Sequence, residues 1–349
     1  MKQQETHMTD SMPTVGIKDV AREAGVSVGT VSNVLNQPSR VSQQTRRHVE
    51  QVIARLGYVR SESARQLRAG RSRVLALLVL DMGNPFFVDL ARGAERTARD
   101  AGLAVMVCNS GQNAKEEAEY LDLFAEQRVR GVLVTPADPS GQSLLRFRRH
   151  GIPYVLVDRV AGDAEGCSVS VDDVAGGALA IHHLTGAGHR SIAFISGPPH
   201  LQQVQDRRTG ALEALAQAGL PPHALQEVPT ERLDVAAGRD AGARLLGLAE
   251  RPTAVFCAND LLALGVLQFM YTAGIKVPEE MAIVGYDDIE FAAAATVPLT
   301  SVRQPARTMG AMAAGLLLQE TGDQADEHRH EHVVLQPELV VRGSSLPAR

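Results

Sequence analysis

The sequence has no tryptophan, and aromatic residues make up only 4% of its 349 residues. Flat apolar platforms for stacking a ligand are therefore scarce. Its three cysteines, Cys108, Cys167 and Cys257, are far apart, and two lie in the apolar strand-like runs VMVCN and VFCAN. That pattern implies reduced cytoplasmic thiols, neither a disulfide framework nor a zinc motif. No apolar segment follows the initial charges, so no secretion signal is expected. No run reaches the ~20 apolar residues of a membrane span. There is no G-x-x-x-x-G-K-[ST] and no strand-bound G-x-G-x-x-G. No Ser/His/Asp set or paired carboxylates stand out, so neither an enzyme nor a cofactor is expected.

What is present is a charge division. The formal net charge is −5, which alone argues against a nucleic-acid binder. Yet Thr14–Arg73 holds 11 Lys and Arg against 4 Asp and Glu, a balance of +7, and Val74–Arg349 carries −11. A basic head on an acidic body fits a DNA reader joined to a separate sensing module. Met1–Pro13 is polar and reads as a disordered tail.

The head is organised around Ile17–Asn36, IKDVAREAGVSVGTVSNVLN. A first helix is expected from Lys18 to Ala24, stopped by Gly25, with Val26 plugging the turn. Ser27 can cap a second helix, Val28–Leu35, with Val31, Val34 and Leu35 inward. Its outer face is Gly29, Thr30, Ser32, Asn33 and Asn36, small or hydrogen-bonding residues where a plain solvated face would carry Glu and Lys. This is the pattern of a DNA-binding helix-turn-helix. Ser42 can cap a third helix, Gln43–Leu56, with Val49, Val52, Ile53 and Leu56 inward and Gly57 as its stop. In Tyr58–Arg73, Ser61 could cap one more short helix carrying Leu67 and several arginines.

Beyond Arg73, apolar runs at 74–81, 104–109, 131–136, 154–159, 192–197, 254–259 and 282–288 alternate with helical periodicity. A weak strand is expected at Gln226–Pro229 and a helix at Asp206–Ala218. Such alternation means parallel sheets covered on both faces, here in two successive α/β units. The chain closes with TSVRQP, a helix over Arg307–Gln319, and a strand pair near His332–Leu335 and Glu338–Val341.

The segments IKDVAREAGVS, TVSNVLN, VS–TR, LGY and ARQL resemble the LacI/GalR transcription regulators. The later α/β order is similar to that family's type I periplasmic-binding-protein-like core of two open parallel-sheet lobes. The resemblance implies a disordered tail (1–13), a helix-turn-helix domain (14–60), a hinge (61–73) and a two-lobed effector-binding and dimerisation domain (74–349). One lobe would take Val74–Asp158 plus the segment after Ser301. The other would take Val171–Ile289 plus the terminal strands. The expected function is a homodimeric repressor that binds a palindromic operator under control of a small effector. The expected DNA-contacting residues are Ser27, Val28, Gly29, Thr30, Ser32, Asn33, Asn36, Ser42, Arg46, Leu67 and Arg68. Base readout is expected from Gly29, Thr30, Asn33 and Asn36, with Gly29 specifying little beyond close approach, and a minor-groove wedge from Leu67.

Open α/β sheets bind ligands beyond the carboxyl ends of their strands. Polar residues at those ends are Asp81, Asn84, Asp158, Arg159, Asn259, Asp260 and Asp287, and Arg207 is expected to open the helix of the second lobe. The resemblance implies effector contacts from Asp158, Arg207, Asn259 and Asp287, with Gln304 and the segment Asn84, Phe86 and Phe87 nearby. Asn259 equally suits a helix cap. In the loop before the helix at Val235, many relatives carry an aromatic platform, whereas this chain has ERLD with Leu233. A small sugar is therefore favoured over a purine. In EHRHEH, His328, His330 and His332 are spaced by two and could share one face of a strand. The favoured reading is a solvated charged loop, and no metal is expected.

Overall fold

A computed structural model describes residues 15–59, 72–138, 140–162, 166–322 and 325–346. The expected tail and most of the expected hinge, with Leu67 and Arg68, lie outside them. The chain divides into two compact units after Gly70.

The first unit holds α1 (Ile17–Glu23), α2 (Val28–Asn36) and α3 (Gln43–Leu56). The Gly16 amide donates to the Asp19 carboxylate at 3.0 Å, which starts α1 one residue earlier than the spacing predicts. Gly25, at φ +63°, turns the chain. The Thr30 amide donates to Ser27 Oγ at 3.0 Å, and the Thr45 amide to Ser42 Oγ at 3.2 Å. Each hydroxyl thus satisfies one of the free amides at a helix start. Val20, Ala21, Val31, Val34, Val49 and Val52 are buried together, so the apolar positions of three short helices form one small core.

The second unit contains β1 (Val74–Val79), α4 (Pro85–Asp100), β2 (Ala104–Asn109), α5 (Ala114–Glu126), β3 (Gly131–Val134), α6 (Gln142–Arg148), β4 (Tyr154–Val157) and β5 (Ser168–Val171). Then come α7 (Asp173–Gly186), β6 (Ile192–Ser196), α8 (Gln202–Gln217), β7 (Leu225–Pro229), α9 (Val235–Leu246), β8 (Ala254–Cys257), α10 (Asp260–Thr272) and β9 (Ala282–Asp287). The chain ends with α11 (Glu290–Ala294), β10 (Thr300–Arg303), α12 (Ala306–Glu320), β11 (His332–Leu335) and β12 (Glu338–Val340). The first sheet runs β11-β5-β4-β3-β1-β2 and the second β12-β10-β9-β8-β6-β7. All pairings are parallel except β12 with β10, where Ser301 faces Val340. Among the described residues, no helix is long and apolar enough to cross a membrane.

The two lobes divide the chain differently from the expectation. Strand β5, with the alternating sequence SVSV, joins the first sheet. Strand β10 lies in the second sheet, so only the part from α12 through β11 returns to the first lobe, and β12 goes back to the second. The expected terminal strand pair does not form: β11 pairs with β5, and β12 with β10. Apolar patterning marks these segments as strands but carries no information about which sheet edge they join. As a result the chain passes between the lobes three times, at Asp172–Asp173, Gln304–Pro305 and Gln336–Pro337.

Close helix packing holds each lobe. At the crossing of α7 and α8, a Cβ at Gly210 would lie 1.8 Å from the Val174 carbonyl oxygen, and one at Gly177 would lie 2.0 Å from that of Arg207. Gly93 with Gly310 (α4 and α12) and Gly238 with Gly265 (α9 and α10) repeat this reciprocal approach. Gly210→Ala should therefore destabilise the unit by about 1–3 kcal/mol through overpacking. Gly315, in α12, has nothing within 4 Å of its would-be Cβ, and Gly315→Ala should stabilise by about 0.4–1 kcal/mol. Urea midpoints of the two variants should move in opposite directions.

Candidate functional site

The outer surface of α2 presents Val28, Gly29, Asn33 and Asn36 as exposed residues, with Thr30 and Ser32 half-buried. The Asn36 amide turns back on its own helix, donating to the Ser32 carbonyl at 2.7 Å. Asn33 makes no side-chain hydrogen bond among the described residues and is exposed. Arg46 is exposed, with Nε donating to Glu50 Oε1 at 2.7 Å. Of the expected DNA set, Ser27 and Ser42 also cap α2 and α3.

In the second unit, polar side chains gather where the strands of both sheets end. Asp158 follows β4 at φ +60°, and Asp287 ends β9 at φ +104°. Both backbones are in a region disfavoured for non-glycine residues, a strain that typically marks functional sites. Asp287 is buried and accepts from Asn84 Nδ2 at 2.9 Å on one oxygen. On the other it accepts from Gln304 Nε2 at 2.7 Å. Asp158 accepts from Gln203 Nε2 at 2.8 Å on Oδ2, while its buried Oδ1 has no partner.

Arg207 is the buried cation of this cluster. Its Nε donates to Asp173 Oδ1 at 2.8 Å and its Nη1 to the Ala258 carbonyl at 2.6 Å. The guanidinium lies 3.7 Å from the centroid of the Tyr286 ring, where the ring face attracts it. Burial pushes the Asp158 carboxyl up to about 8, with the nearby Asp173 carboxylate adding repulsion. Burial also pushes Asp287 up to about 6, against the pull of Arg207 and the two donated amides. Burial and the Asp173 carboxylate thus favour the protonated form of Asp158, which can donate as well as accept.

Other strand-end residues are already engaged. Asn259 Oδ1 caps α10 by accepting the Leu262 amide at 2.9 Å, and its Nδ2 donates to the Leu233 carbonyl at 3.1 Å. Asp260 accepts from Ser301 Oγ at 2.6 Å and from the Ile289 amide at 2.9 Å. Asp81 accepts the Gly83 amide two residues on. Phe86 and Phe87 are buried, edge to face with centroids 5.0 Å apart, and serve the core rather than an open platform. Leu233 is half-buried, against Gly197.

A cavity of about 460 Å³ lies at the strand ends, lined from the first lobe by Gly111, Gln112, Asn113, Ala114 and Ala137, and from the second by Pro198, His200, Glu231 and Arg232. A second, of about 450 Å³, reaches Asp287 and Gln304 from the side of α4 and α12.

The three histidines of EHRHEH do not share a face. His332 Nδ1 lies 3.1 Å from Ser168 Oγ, whereas His328 and His330 turn to Cys167. The reading of this segment as a solvated loop is corrected for His328, whose side chain is only 7% exposed.

Residues 16–61 match the family described as bacterial regulatory proteins, lacI family. Residues 181–345 match the periplasmic binding protein-like domain. The HTH-type transcriptional repressor PurR of Photobacterium profundum is 32% identical over 331 residues, 94% of this chain and 98% of that protein. The chain belongs to the lacI family of bacterial regulatory proteins. The ribose operon repressor of Escherichia coli K12 is 34% identical over 332 residues, 94% of this chain and 99% of that protein. The lac repressor dimer bound to operator and the anti-inducer ONPF has a TM-score of 0.81 at 28% identity, covering 96% of this chain and 100% of that one. As a lacI-family protein, this chain is a DNA-binding transcriptional regulator and not an enzyme.

Several residues of the cleft escape a reading of the sequence. Helix α8 begins at Gln202, four residues before the expected start, so Arg207 sits inside the helix and Gln203 joins the site. Its first turn, QQVQ, is polar and has no side-chain cap to announce it. Asp173 and Tyr286 are invisible as partners of Arg207 because only the packing of α7, α8 and β9 brings them together. Thr135 and Gln112 each carry a buried oxygen without a partner among the described residues. Thr135 directly follows β3, so the strand-end rule that selects Asp158 would also have found it.

The raised carboxyls give a sign to the pH dependence. Their native values, about 8 for Asp158 and about 6 for Asp287, lie above the ordinary unfolded value near ~3.9. At these two groups the native state therefore holds more protons between those limits, and their contribution to stability falls as pH rises from about 4 to about 8. Asp158→Asn should flatten the upper part of that decline and give a higher urea midpoint than the parent at pH 8. Parallel pH profiles for the two proteins would remove Asp158 from the account.

Proposed function

We propose that this chain is a homodimeric cytoplasmic repressor that binds a palindromic operator and is controlled by a small sugar held between its lobes. The observation that carries the ligand class is the set of buried oxygens without partners, Gln112 Oε1, Thr135 Oγ1, Asp158 Oδ1 and Gln304 Oε1. Each follows a strand end. A buried polar atom without a hydrogen bond costs about 1–3 kcal/mol, and a ligand rich in adjacent hydroxyls can relieve several at once. Leu233, and rings at Phe86 and Phe87 that are already packed, leave little for a flat base to stack on. The likeness to the ribose operon repressor supports the sugar class, and the likeness to an operator-bound dimer supports two half-sites.

The deciding measurement is a melting screen of the full chain over pentoses, hexoses, disaccharides and nucleobases. A true effector at 100 times its dissociation constant adds about 2.7 kcal/mol of stability. It should also change affinity for an operator selected from a palindromic library. A nucleobase that stabilises while every sugar fails would overturn the sugar reading and leave the DNA reading intact.

At the DNA, Asn33 can bond an adenine edge in two places, worth about 1–3 kcal/mol of discrimination. Asn33→Ala should flatten preference at one base pair per half-site while non-specific binding is retained. Arg47→Ala and Arg46→Ala should each make the slope of log affinity against log salt shallower by about one if the residue contacts a phosphate. Leu67→Ser should abolish operator bending and weaken specific binding far more than non-specific binding. Electrophoretic shift with permuted operator positions reads both effects.

A further inference from the structure

Away from the cleft, four potential metal ligands from three parts of the chain meet at the edge of the first lobe. Cys167 lies just before β5, Glu320 ends α12, and His328 and His330 lie in the segment leading to β11. The donor atoms, Cys167 Sγ, Glu320 Oε1, His328 Nε2 and His330 Nδ1, are all within 4.8 Å of one another. Sγ is 3.1 Å from His328 Nε2 and 3.8 Å from His330 Nδ1. Glu320 Oε1 is 3.6 Å from the first nitrogen and 3.3 Å from the second.

These spacings match one coordination geometry. Zinc bonds of about 2.0–2.3 Å at tetrahedral angles place the ligand atoms about 3.3–3.6 Å apart. The observed separations straddle that range, so a single ion can sit among the four with small side-chain adjustments. The donor set, one thiol, two imidazoles and one carboxylate, suits zinc and not magnesium or calcium, which require oxygen ligands.

Two further features favour a ligand over a self-satisfied cluster. Glu320 is only 9% exposed, and among the described residues its Oε1 has no well-aligned hydrogen bond, only the close approach of the two imidazoles. A buried carboxylate oxygen aimed at two imidazoles and a thiol is costly unless a cation is shared. The Glu331 amide also donates to Cys167 Sγ at 3.3 Å, the kind of outer support that orients a thiolate on a metal. His330, 48% exposed, leaves the site open to solvent for loading.

We propose that Cys167, Glu320, His328 and His330 form a tetrahedral site for one zinc ion per chain. The ion ties the end of α12 and the segment 328–330 to the start of β5. It therefore fastens the path into β11, the edge strand of the first sheet, and with it the third passage between the lobes. This site is independent of the effector cleft.

The test uses the untagged full-length protein, stripped with a chelator under reducing conditions and titrated with Zn²⁺ or with Co²⁺ as a coloured probe. One equivalent per chain should bind. Co²⁺ should give the absorption of a tetrahedral centre together with a thiolate charge-transfer band. Cys167→Ser should lose that band, and His328→Ala should weaken binding by at least about 10- to 100-fold, the loss seen even for supporting groups. His332→Ala, which alters only the Ser168 contact, should bind as the parent does. Zn²⁺ should raise the melting temperature of the parent but not of the two ligand variants. If Cys167→Ser does not fold, Glu320→Gln and the parent's own Co²⁺ spectrum still decide. Absence of stoichiometric binding, or binding unaffected in both Cys167→Ser and His328→Ala, would overturn the proposal.

Discussion

Asp287 holds the first lobe through Asn84 and the passage into α12 through Gln304, one carboxylate oxygen for each. It stands at the last residue of β9, with its backbone at φ +104°. The next residue continues the anchoring: Asp288 pairs with Arg303 Nε at 2.7 Å and with Arg342 Nη1 at 2.6 Å. Behind them Asp260 holds the Ile289 amide and Ser301. This corner therefore fixes where the second sheet meets two of the three connections between the lobes. Two amides on one buried carboxylate make a contact that a ligand can exchange for its own donors without leaving the acid unsatisfied. That property suits a hinge better than an apolar seam would.

The electrostatics of the cleft point the same way. One buried guanidinium, Arg207, serves a group of acids that includes Asp158, Asp173 and Asp287. With Asp173 taking its Nε, the pull of Arg207 and the Gln203 amide on Asp158 is outweighed by burial and the repulsion of Asp173. A ligand that supplies hydroxyls to Asp158 and competes for Asp287 touches both lobes at once. Its leverage on DNA equals its difference in affinity between two lobe arrangements. Couplings of this kind amount to about 1–3 kcal/mol, comparable with one or two of the hydrogen bonds described.

The head and the sensor obey different physical demands. The head has a core of seven buried apolar residues, all valine or alanine, so its fold rests on short helices closed by caps and glycine turns. Its outer helix face is left to small and hydrogen-bonding residues, with Val28 the exposed exception. The sensor has deep sheets and tight Gly–Gly helix crossings, which hold the cleft acids in place despite their unfavourable burial. Charge separates in the same way, with the basic excess in the head and the acidic excess in the body.

The sequence by itself determined whatever depends on neighbours along the chain. Gly25, Ser27, Ser42 and Gly57 act within one helical turn, so α2 and α3 and their inner faces were legible. Seven apolar runs alternating with helical periodicity announced parallel sheets, and the strand-end rule led to Asp158 and Asp287. Tertiary structure decided what depends on residues far apart. SVSV becomes a strand only because β4 and β11 flank it. Whether β10, β11 and β12 join one sheet or the other turns on edge hydrogen bonds that no local pattern encodes. Gln203, Asp173 and Tyr286 become site residues through the approach of α7 to α8, where two glycines remove the steric barrier. The spacing of EHRHEH suggested three histidines on one face. Packing instead drew two of them to Cys167 and Glu320 and sent the third to Ser168, because a ligand set is defined by distances in space.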